Sequence, residues 1–312
     1  MSDTLSSATK DGMAEHDSPT LARRRVRVAL REFRDEADKT QQQVADEMEW
    51  SLSKVIRIES GDVSISVNDL RPLLAFLGVK DRSVVAELLA DARLARVRQR
   101  KAWHQNPKYR VHMSDAFRRL IEFEAEAVTV RYYSVYFIPG PLQIADYAKA
   151  LMNLYVDEMP ADRMEALIEV RRLRRESLLS RIGGLRLLVL LDESVLRRPI
   201  GGAAVFAAQL RELVRLTGDG LAMRMVPFSL DAPVTNNATF DLISLGKADD
   251  QGQVLYHENG MTDELVEDKI TTSRHSARFD KVWQEAVDEG DTINFIRGRI
   301  EDLDATVAGE KA

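Results

Sequence analysis

The sequence predicts an α-rich chain in which an all-α N-terminal domain is followed by an α+β domain with a small sheet. Residues 21–100 contain short apolar segments with the 3.6-residue period of helices, separated by polar turns. Two later segments, 185–191 and 221–226, have the continuous or alternating apolar pattern of strands. The N-terminal third is basic and the remainder is acidic, which indicates two modules with different partners.

These patterns divide the chain into four segments. Residues 1–20 contain many Ser, Thr and Asp residues and few large apolar ones, so we predict a disordered tail. Residues 21–80 are predicted to form the all-α domain, and residues 81–112 a helical linker. Residues 113–305 are predicted to form an α+β domain with a regulatory or dimerisation role.

The second domain is predicted to combine helices with short strands. Helices are predicted from about residue 115 and over residues 143–155, 160–181, 203–216, 264–287 and 292–303. Strands are predicted over residues 132–138, 185–191, 221–226, 238–245 and 253–258.

The composition excludes several kinds of site. The 312 residues include no cysteine, which excludes disulfides, thiolate nucleophiles, zinc fingers and iron–sulfur clusters. The five histidines lack the spacing of metal ligands, so we expect neither a metal nor another cofactor. No apolar run is long enough to span a membrane and the N-terminus has no apolar signal segment, so we expect a cytoplasmic protein without membrane contact.

The net charge of −6 by itself argues against a nucleic-acid partner. That charge is unevenly distributed along the chain. Residues 21–101 contain seventeen Lys or Arg against thirteen Asp or Glu, whereas residues 102–312 contain twenty-six against thirty-three. The N-terminal domain alone is therefore positively charged and remains a candidate for binding DNA.

Residues 40–61 have the caps and apolar spacing of two short helices joined by a tight turn. Thr40 and Gln43 are spaced as a capping box at the start of the first helix. Ser51 is placed to cap the second helix, and Gly61 to end it. The residues predicted to face inward are Val44, Ala45, Met48, Val55 and Ile58.

The outward face of the second helix has the chemistry of a DNA-contacting surface. Lys and Arg at positions i and i+3 on a short capped helix suit the major groove of B-DNA. The residues predicted to contact base edges are Leu52, Ser53, Lys54 and Arg57. Gln41 and Ser51 are predicted to hold phosphates through side-chain donors. A helical hairpin with a solvated charged face is the alternative interpretation of the same pattern.

This stretch resembles the XRE family of phage-repressor-like helix-turn-helix proteins. The family pattern is a Thr-Gln pair, an apolar-Ala pair, a tight turn, Ser and Ile-Glu-x-Gly, and residues 40–41, 44–45, 51 and 58–61 fill those places. The resemblance implies that Arg34 pairs with Glu59 as a structural ion pair without DNA contact. It also implies a closing helix that contains Leu70, Leu73, Leu74 and Leu77.

Four positions depart from the family pattern. Glu49 occupies a position where glycine usually provides a left-handed turn, which costs about 1 kcal/mol if that geometry is kept. Asp38 and Lys39 replace the usual Gly-Leu before the first helix. Pro72 is tolerated without a kink only in the first turn of its helix, which predicts an N-cap at Asp69 instead of a start at Ser66.

The remaining two-thirds is similar to the C-terminal domain of uncharacterised function found in actinobacterial XRE regulators, some of which are antitoxin-like. The segments 137–148 and 191–202 are similar to their Pro-Gly-Leu-Leu-Gln and Leu-Asp-Glu-x-x-Leu-Arg-Arg signatures, and Val226-Pro227-Phe228 also fits. The resemblance covers about residues 21–300. It implies a small partner protein, encoded nearby, for the C-terminal domain.

Catalysis is a weaker hypothesis for the second domain. The sequence offers Asp192 and Glu193 beside Arg197 and Arg198, and His257 beside Glu258. Acid–base chemistry needs such groups in one pocket, which their spacing does not show. We expect helix capping, ion pairing and packing for these residues, and therefore no enzyme and no catalytic residue.

Two basic segments allow two interpretations each. The run from Arg93 to Trp103 has five positive charges, all within residues 93–101. It either lies along a DNA backbone or forms the solvated face of a connecting helix. The cluster Arg23, Arg24, Arg25 and Arg27 has the same two interpretations.

The sequence as a whole predicts a DNA-binding transcriptional regulator that acts as a homodimer on a double-stranded operator. The alternatives are an antitoxin-like protein-interaction module with little DNA function of its own and, with less support, a DNA-directed enzyme.

Overall fold

The computed structural model describes residues 18–97, 102–155, 157, 159–218, 220–230, 239–246, 252–258 and 262–310. Residues 1–17 of the tail predicted over 1–20, and residues 98–101 of the second basic run, lie outside the described residues, whereas residues 19 and 20 already belong to the first helix. The chain divides into two compact units, Met1–Lys101 and Ala102–Ala312. Across the described ranges, every helix is too short or too polar to cross a membrane.

The first unit consists of helices packed around one apolar core. Its helices are α1 (Pro19–Glu36), α2 (Gln41–Glu47), α3 (Leu52–Ser60), α4 (Val67–Phe76) and α5 (Arg82–Leu94). The core includes Val26 and Leu30 from α1, and Leu70, Leu73 and Leu74 from α4. Its α5 members are Leu88, Leu89 and Ala92, so this part of the segment 81–112 packs within the first unit.

Helix α4 begins earlier than its proline suggested. Ser66 is the N-cap, its hydroxyl accepts a hydrogen bond from the Asp69 N–H at 3.0 Å, and Pro72 lies inside the helix. The prediction of an Asp69 N-cap is therefore wrong. Pro72 provides no N–H for the helix. The helix nevertheless begins after Ser66 because the Ser66 cap and the burial of Leu70, Leu73 and Leu74 stabilise its first turns.

The second unit is a mixed sheet with helices. Its strands are β1 (Ala127–Ser134), β2 (Arg186–Asp192), β3 (Leu221–Val226), β4 (Phe240–Leu245), β5 (Gln253–Glu258) and β6 (Asp263–Val266). Its helices are α6 (Pro107–Arg110), α7 (Asp115–Glu126), α8 (Ala145–Met152), α9 (Ala161–Leu179), α10 (Glu193–Arg197), α11 (Gly202–Leu216), α12 (Lys269–Glu285) and α13 (Glu289–Gly309). An α-rich chain with an all-α N-terminal region and an α+β region is the fold class that the sequence predicts, and it is confirmed.

The described strands form one sheet of six in the order β3-β2-β1-β4-β5-β6. Strands β1, β2 and β3 are parallel, and each crossover between them contains helices. Strands β4, β5 and β6 are antiparallel to their neighbours. β2 is a continuous apolar run that is buried from Leu187 to Leu191, as expected for a strand covered on both faces.

One strand prediction and one helix prediction need correction. The aromatic segment predicted as a strand over 132–138 is shifted, because β1 runs over Ala127–Ser134 and the Ser134 hydroxyl donates to the Phe137 carbonyl in the turn that follows. The helix predicted over 264–287 begins at Lys269, and the residues before it form the edge strand β6. Residues 263–266 form a strand because they pair with β5, and a helical pattern within the segment itself does not show this pairing.

Candidate nucleic-acid interface

Side-chain caps fix the start of both helices in the predicted motif. The Thr40 hydroxyl accepts from the Gln43 N–H at 3.2 Å, and the Gln43 side-chain oxygen accepts from the Thr40 N–H at 2.9 Å. The Ser51 hydroxyl accepts from the Lys54 N–H at 3.2 Å. Gly61 ends α3 in the left-handed conformation with φ of 89°. The predicted capping box, N-cap and helix stop are all present.

The turn between the two helices is left-handed at a non-glycine residue. Glu49 has φ of 54°, and its N–H donates to the Asp46 carbonyl at 3.3 Å. Asp38, which also replaces the glycine of the family pattern, has φ of 52°. The chain therefore keeps the backbone geometry of the motif at both corners and accepts the strain of a side chain there.

The inner faces of α2 and α3 pack together. Val44, Ala45, Val55 and Ile58 are buried in the core of the first unit, and Met48 is partly buried against it. Ala45 is small enough for α3 to lie close to α2. This packing sets which residues of α3 face outward.

The exposed residues of α3 are Leu52, Ser53, Ile56 and Arg57. Three of them are predicted DNA-contacting residues, and Arg57 makes no ion pair with the residues that the structure describes. Ile56, at 44% exposure, was missed because it directly follows the core residue Val55 and has the same aliphatic character as the core residues Val55 and Ile58. Its place four residues after Leu52 was the signal that could have revealed it.

Lys54, which is predicted to contact a base edge, has two partners within the first unit. Its ammonium nitrogen is 3.7 Å from the centre of the Trp50 ring and 3.4 Å from a carboxylate oxygen of Asp69. Both contacts direct the side chain toward α4 and the turn. In this arrangement Lys54 connects the turn before α3 to α4. The cationic side chain on the outward face of α3 is Arg57.

Gln41 and Glu59 belong to one polar cluster under the motif. Arg34 donates to the two carboxylate oxygens of Glu59 at 2.7 and 3.2 Å, and also to the Lys39 carbonyl at 3.0 Å. The Gln41 amide donates to Glu59 at 2.8 Å. The Glu59 hydrogen bond raises the pKa of Arg34, against the opposing effect of burial. The Gln41 amide, predicted to hold a phosphate, is thus engaged inside the motif, as is the predicted Arg34–Glu59 pair.

The arginines of α1 serve the packing of the first unit. Arg24 and Arg27 are buried, and Arg25 donates to Asp91 of α5 at 2.8 Å. Arg23 donates to the Ser64 hydroxyl at 3.2 Å. These contacts favour the structural interpretation of the cluster over a DNA-backbone role. Of the second basic run, Arg93 to Val97 belong to α5 and the turn after it.

The candidate catalytic residues of the second unit have structural partners. Asp192 caps α10 by accepting from the Ser194 N–H at 2.9 Å. Glu193 accepts from Arg197 at 2.6 Å and from the Phe228 N–H at 2.8 Å. These are the capping and pairing roles that the sequence favoured for both carboxylates.

His257 packs in a small aromatic group. Its ring centre is 6.3 Å from that of Phe240 and 5.2 Å from that of His275. Burial, and then the neighbouring His275, lower the pKa of His257. Among the described residues, no three His, Asp or Glu side chains are grouped so that they could hold a metal ion.

A buried polar cluster in the second unit was not predicted. Arg174 of α9 donates to Glu124 of α7 at 2.6 and 2.7 Å, and contacts Asp241 of β4 at 3.4 Å. The Tyr132 hydroxyl donates to Glu124 at 3.1 Å. Burial raises the pKa of Asp241 to about 7, although Arg174 opposes this increase. The cluster joins two helices to the sheet through groups far apart in sequence.

Comparisons with known proteins divide the chain in the same way. A family model described as a helix-turn-helix domain matches residues 25–88. A second family model, described as a domain of unknown function (DUF5753), matches residues 117–298, which is more than half of the chain. Searches of curated proteins and of solved structures gave no significant match.

Proposed function

The chain belongs to the family defined by the domain of unknown function (DUF5753), and from this premise we propose that it is a sequence-specific DNA-binding transcriptional regulator of the XRE type. The observation that carries the proposal is the exposed face of α3, where Leu52, Ser53 and Arg57 stand on a capped helix packed against α2. Such a helix enters the major groove and places its N-terminal residues at base edges.

The six residues predicted for DNA contact then have different roles. Leu52, Ser53 and Arg57 face the bases, and Ser51 caps the end of the helix that enters the groove. Gln41 and Lys54 reach DNA only by leaving their contacts with Glu59 and with Trp50 and Asp69. We therefore propose that these two support the motif first, and that any contact they make to DNA is a contact to phosphate.

A regulator of this kind binds as a homodimer to two half-sites about one helical turn apart. The second domain, with seven more acidic than basic residues over 102–312, repels the DNA backbone and supplies dimerisation and regulation. We propose that a small partner protein encoded nearby controls it, as in antitoxin-like pairs of actinobacterial regulators, and that the chain has no enzymatic activity.

The experiment is a gel shift with the full chain and the DNA upstream of its own gene, over a series of salt concentrations. We expect binding that weakens steeply with salt and that exceeds binding to random DNA by at least about a thousandfold. Equal affinity for both DNAs would reject sequence-specific regulation. Absence of binding to either DNA would leave the protein-interaction module as the function.

Regulation by a partner is tested separately. The product of the neighbouring gene is added to the full chain, and complex formation is measured together with operator affinity. A partner that forms a complex and changes operator affinity supports the regulatory proposal. A neighbouring product that neither binds nor alters operator affinity contradicts it and leaves DNA binding unaffected.

A further inference from the structure

The outward face of α3 presents two aliphatic side chains to solvent. Leu52 and Ile56 are 39% and 44% exposed, whereas Val55 and Ile58 of the same helix are buried. Positions four apart in a helix lie on the same face, so Leu52 and Ile56 form one apolar surface. Neither side chain belongs to the core of the first unit.

Polar groups surround this apolar surface without covering it. Ser53 and Arg57 are exposed next to it in the helix, and Ser51 is held in the N-cap. Lys54 is directed away, toward Trp50 and Asp69. The outward chemistry of α3 is therefore an aliphatic pair with one adjacent guanidinium, a combination that suits a negatively charged partner with apolar groups at defined positions.

We propose that Leu52 and Ile56 contact the C5-methyl groups of thymines in the major groove of the operator. This inference rests on the proposed DNA-binding function and specifies the bases at two positions. Thymine alone among the four bases has a methyl group at the floor of the major groove. The other bases present only hydrogen-bonding groups and ring carbons there, and an aliphatic side chain would leave buried polar groups unpaired.

The contact favours thymine and also disfavours other bases at the same position. Burial of one methyl group contributes about 0.8 kcal/mol, which is about a fourfold change in affinity. Cytosine or adenine at the same place brings an amino group against the Leu52 or Ile56 side chain, with no acceptor on either residue. Arg57 fixes the register of the helix through phosphate or guanine, and the aliphatic pair then distinguishes thymine from its alternatives.

The test begins with selection of binding sites from a random DNA library by the full chain. Thymines in the selected half-site are then replaced, one at a time, by deoxyuridine, which lacks only the methyl group. We expect a loss of about fourfold at each contacted thymine and no change at thymines outside the half-site. A selected site without thymine in its half-sites, or full affinity for the deoxyuridine operator, overturns the inference and leaves the proposed function standing.

The Leu52→Ala/Ile56→Ala variant connects the effect to these two side chains. Both are exposed, so the variant should fold, and its affinity for thymine and deoxyuridine operators should be equal. Ile270→Ala, which removes an aliphatic side chain that is 70% exposed in the other unit, should keep the full methyl effect. A methyl effect that persists in the double variant overturns the inference. Failure of the selection to enrich any sequence instead rejects the proposed function.

Discussion

Arg34 of α1 and Glu59 of α3 form a two-pronged ion pair, with nitrogen–oxygen distances of 2.7 and 3.2 Å. The Gln41 amide adds a third hydrogen bond to the same carboxylate at 2.8 Å. Glu59 is buried, and it therefore connects three helices of the first unit at one point. We expect this connection to hold α3 against α1 and α2.

Replacement of Glu59 by glutamine should loosen α3. The glutamine amide keeps the size of the side chain but has only one oxygen to accept hydrogen bonds. Two N–H groups of Arg34 and the Gln41 amide donate to Glu59, so at least one of these donors loses its partner. We expect α3 to lose about 1–3 kcal/mol of local stability. Hydrogen exchange of the amides in residues 52–60, measured on the full chain by mass spectrometry, reports this loss as faster exchange.

The control for this experiment is Glu87→Gln, which makes the same chemical change on an exposed residue of α5. It should leave the exchange of α3 unchanged. Equal exchange rates in the Glu59 variant and the unaltered chain would show that the ion pair does not hold α3.

Arg57→Ala should weaken binding to the operator by about 1–3 kcal/mol if the guanidinium contacts a base edge. Affinity for random DNA should then change little, because a base contact contributes only at the correct sequence. The measurement is fluorescence anisotropy with operator and random duplexes. Arg82→Ala, which removes an exposed arginine of α5, is the charge-matched control and should change neither affinity. Equal losses on both duplexes would instead make Arg57 a phosphate contact.

Much of the first unit was predictable because its signals are local. The capping box of Thr40 and Gln43, the Ser51 cap and the Gly61 stop act over three or four residues, and all are present in the structure. The orientation of Lys54 was not predictable, since it depends on Asp69, which lies fifteen residues away. The exposure of Ile56 depends in the same way on how α3 packs.

The second unit shows the same division between local and distant signals. The strands Leu221–Val226 and Gln253–Glu258 were predicted with the observed bounds because their patterns and flanking breakers are local. The strand order was not predictable, since β1 pairs with β4 across more than a hundred residues. Glu124, Arg174 and Asp241 lie on α7, α9 and β4 and come together through packing between elements far apart in sequence, so no local pattern indicated their cluster.

The left-handed turn at Glu49 should tolerate glycine better than any β-branched residue. Glu49→Gly relieves the strain of a side chain at φ of 54°, and we expect an increase of up to about 1 kcal/mol in the free energy of unfolding. Glu49→Val removes the same charge but adds a β-branched side chain, and should decrease it. The free energy is measured by urea unfolding, with Trp50 fluorescence recorded in a chain that carries Trp103→Phe and Trp283→Phe. Equal values for both variants would contradict a strained turn.

Asp241 should make the stability of the second unit depend on pH. Burial raises its pKa to about 7 in the folded chain, above the usual value of 3.8. The folded state therefore binds this proton more tightly than the unfolded state does. The resulting stabilisation is complete below about pH 4 and is lost as the pH rises through about 7.

Asp241→Asn replaces the carboxylate with a neutral group of the same shape, and Arg174 keeps its bonds to Glu124. We expect the variant to be more stable than the unaltered chain at about pH 8, by on the order of 1–3 kcal/mol, with the advantage shrinking toward about pH 5. Urea unfolding of chains with Trp50→Phe reports on Trp103 and Trp283 of this unit. Asp280→Asn, whose carboxylate is about half exposed, should show a similar difference at both pH values. An advantage of Asp241→Asn that is constant with pH, or that grows toward acid, would contradict a protonation equilibrium at this carboxyl group.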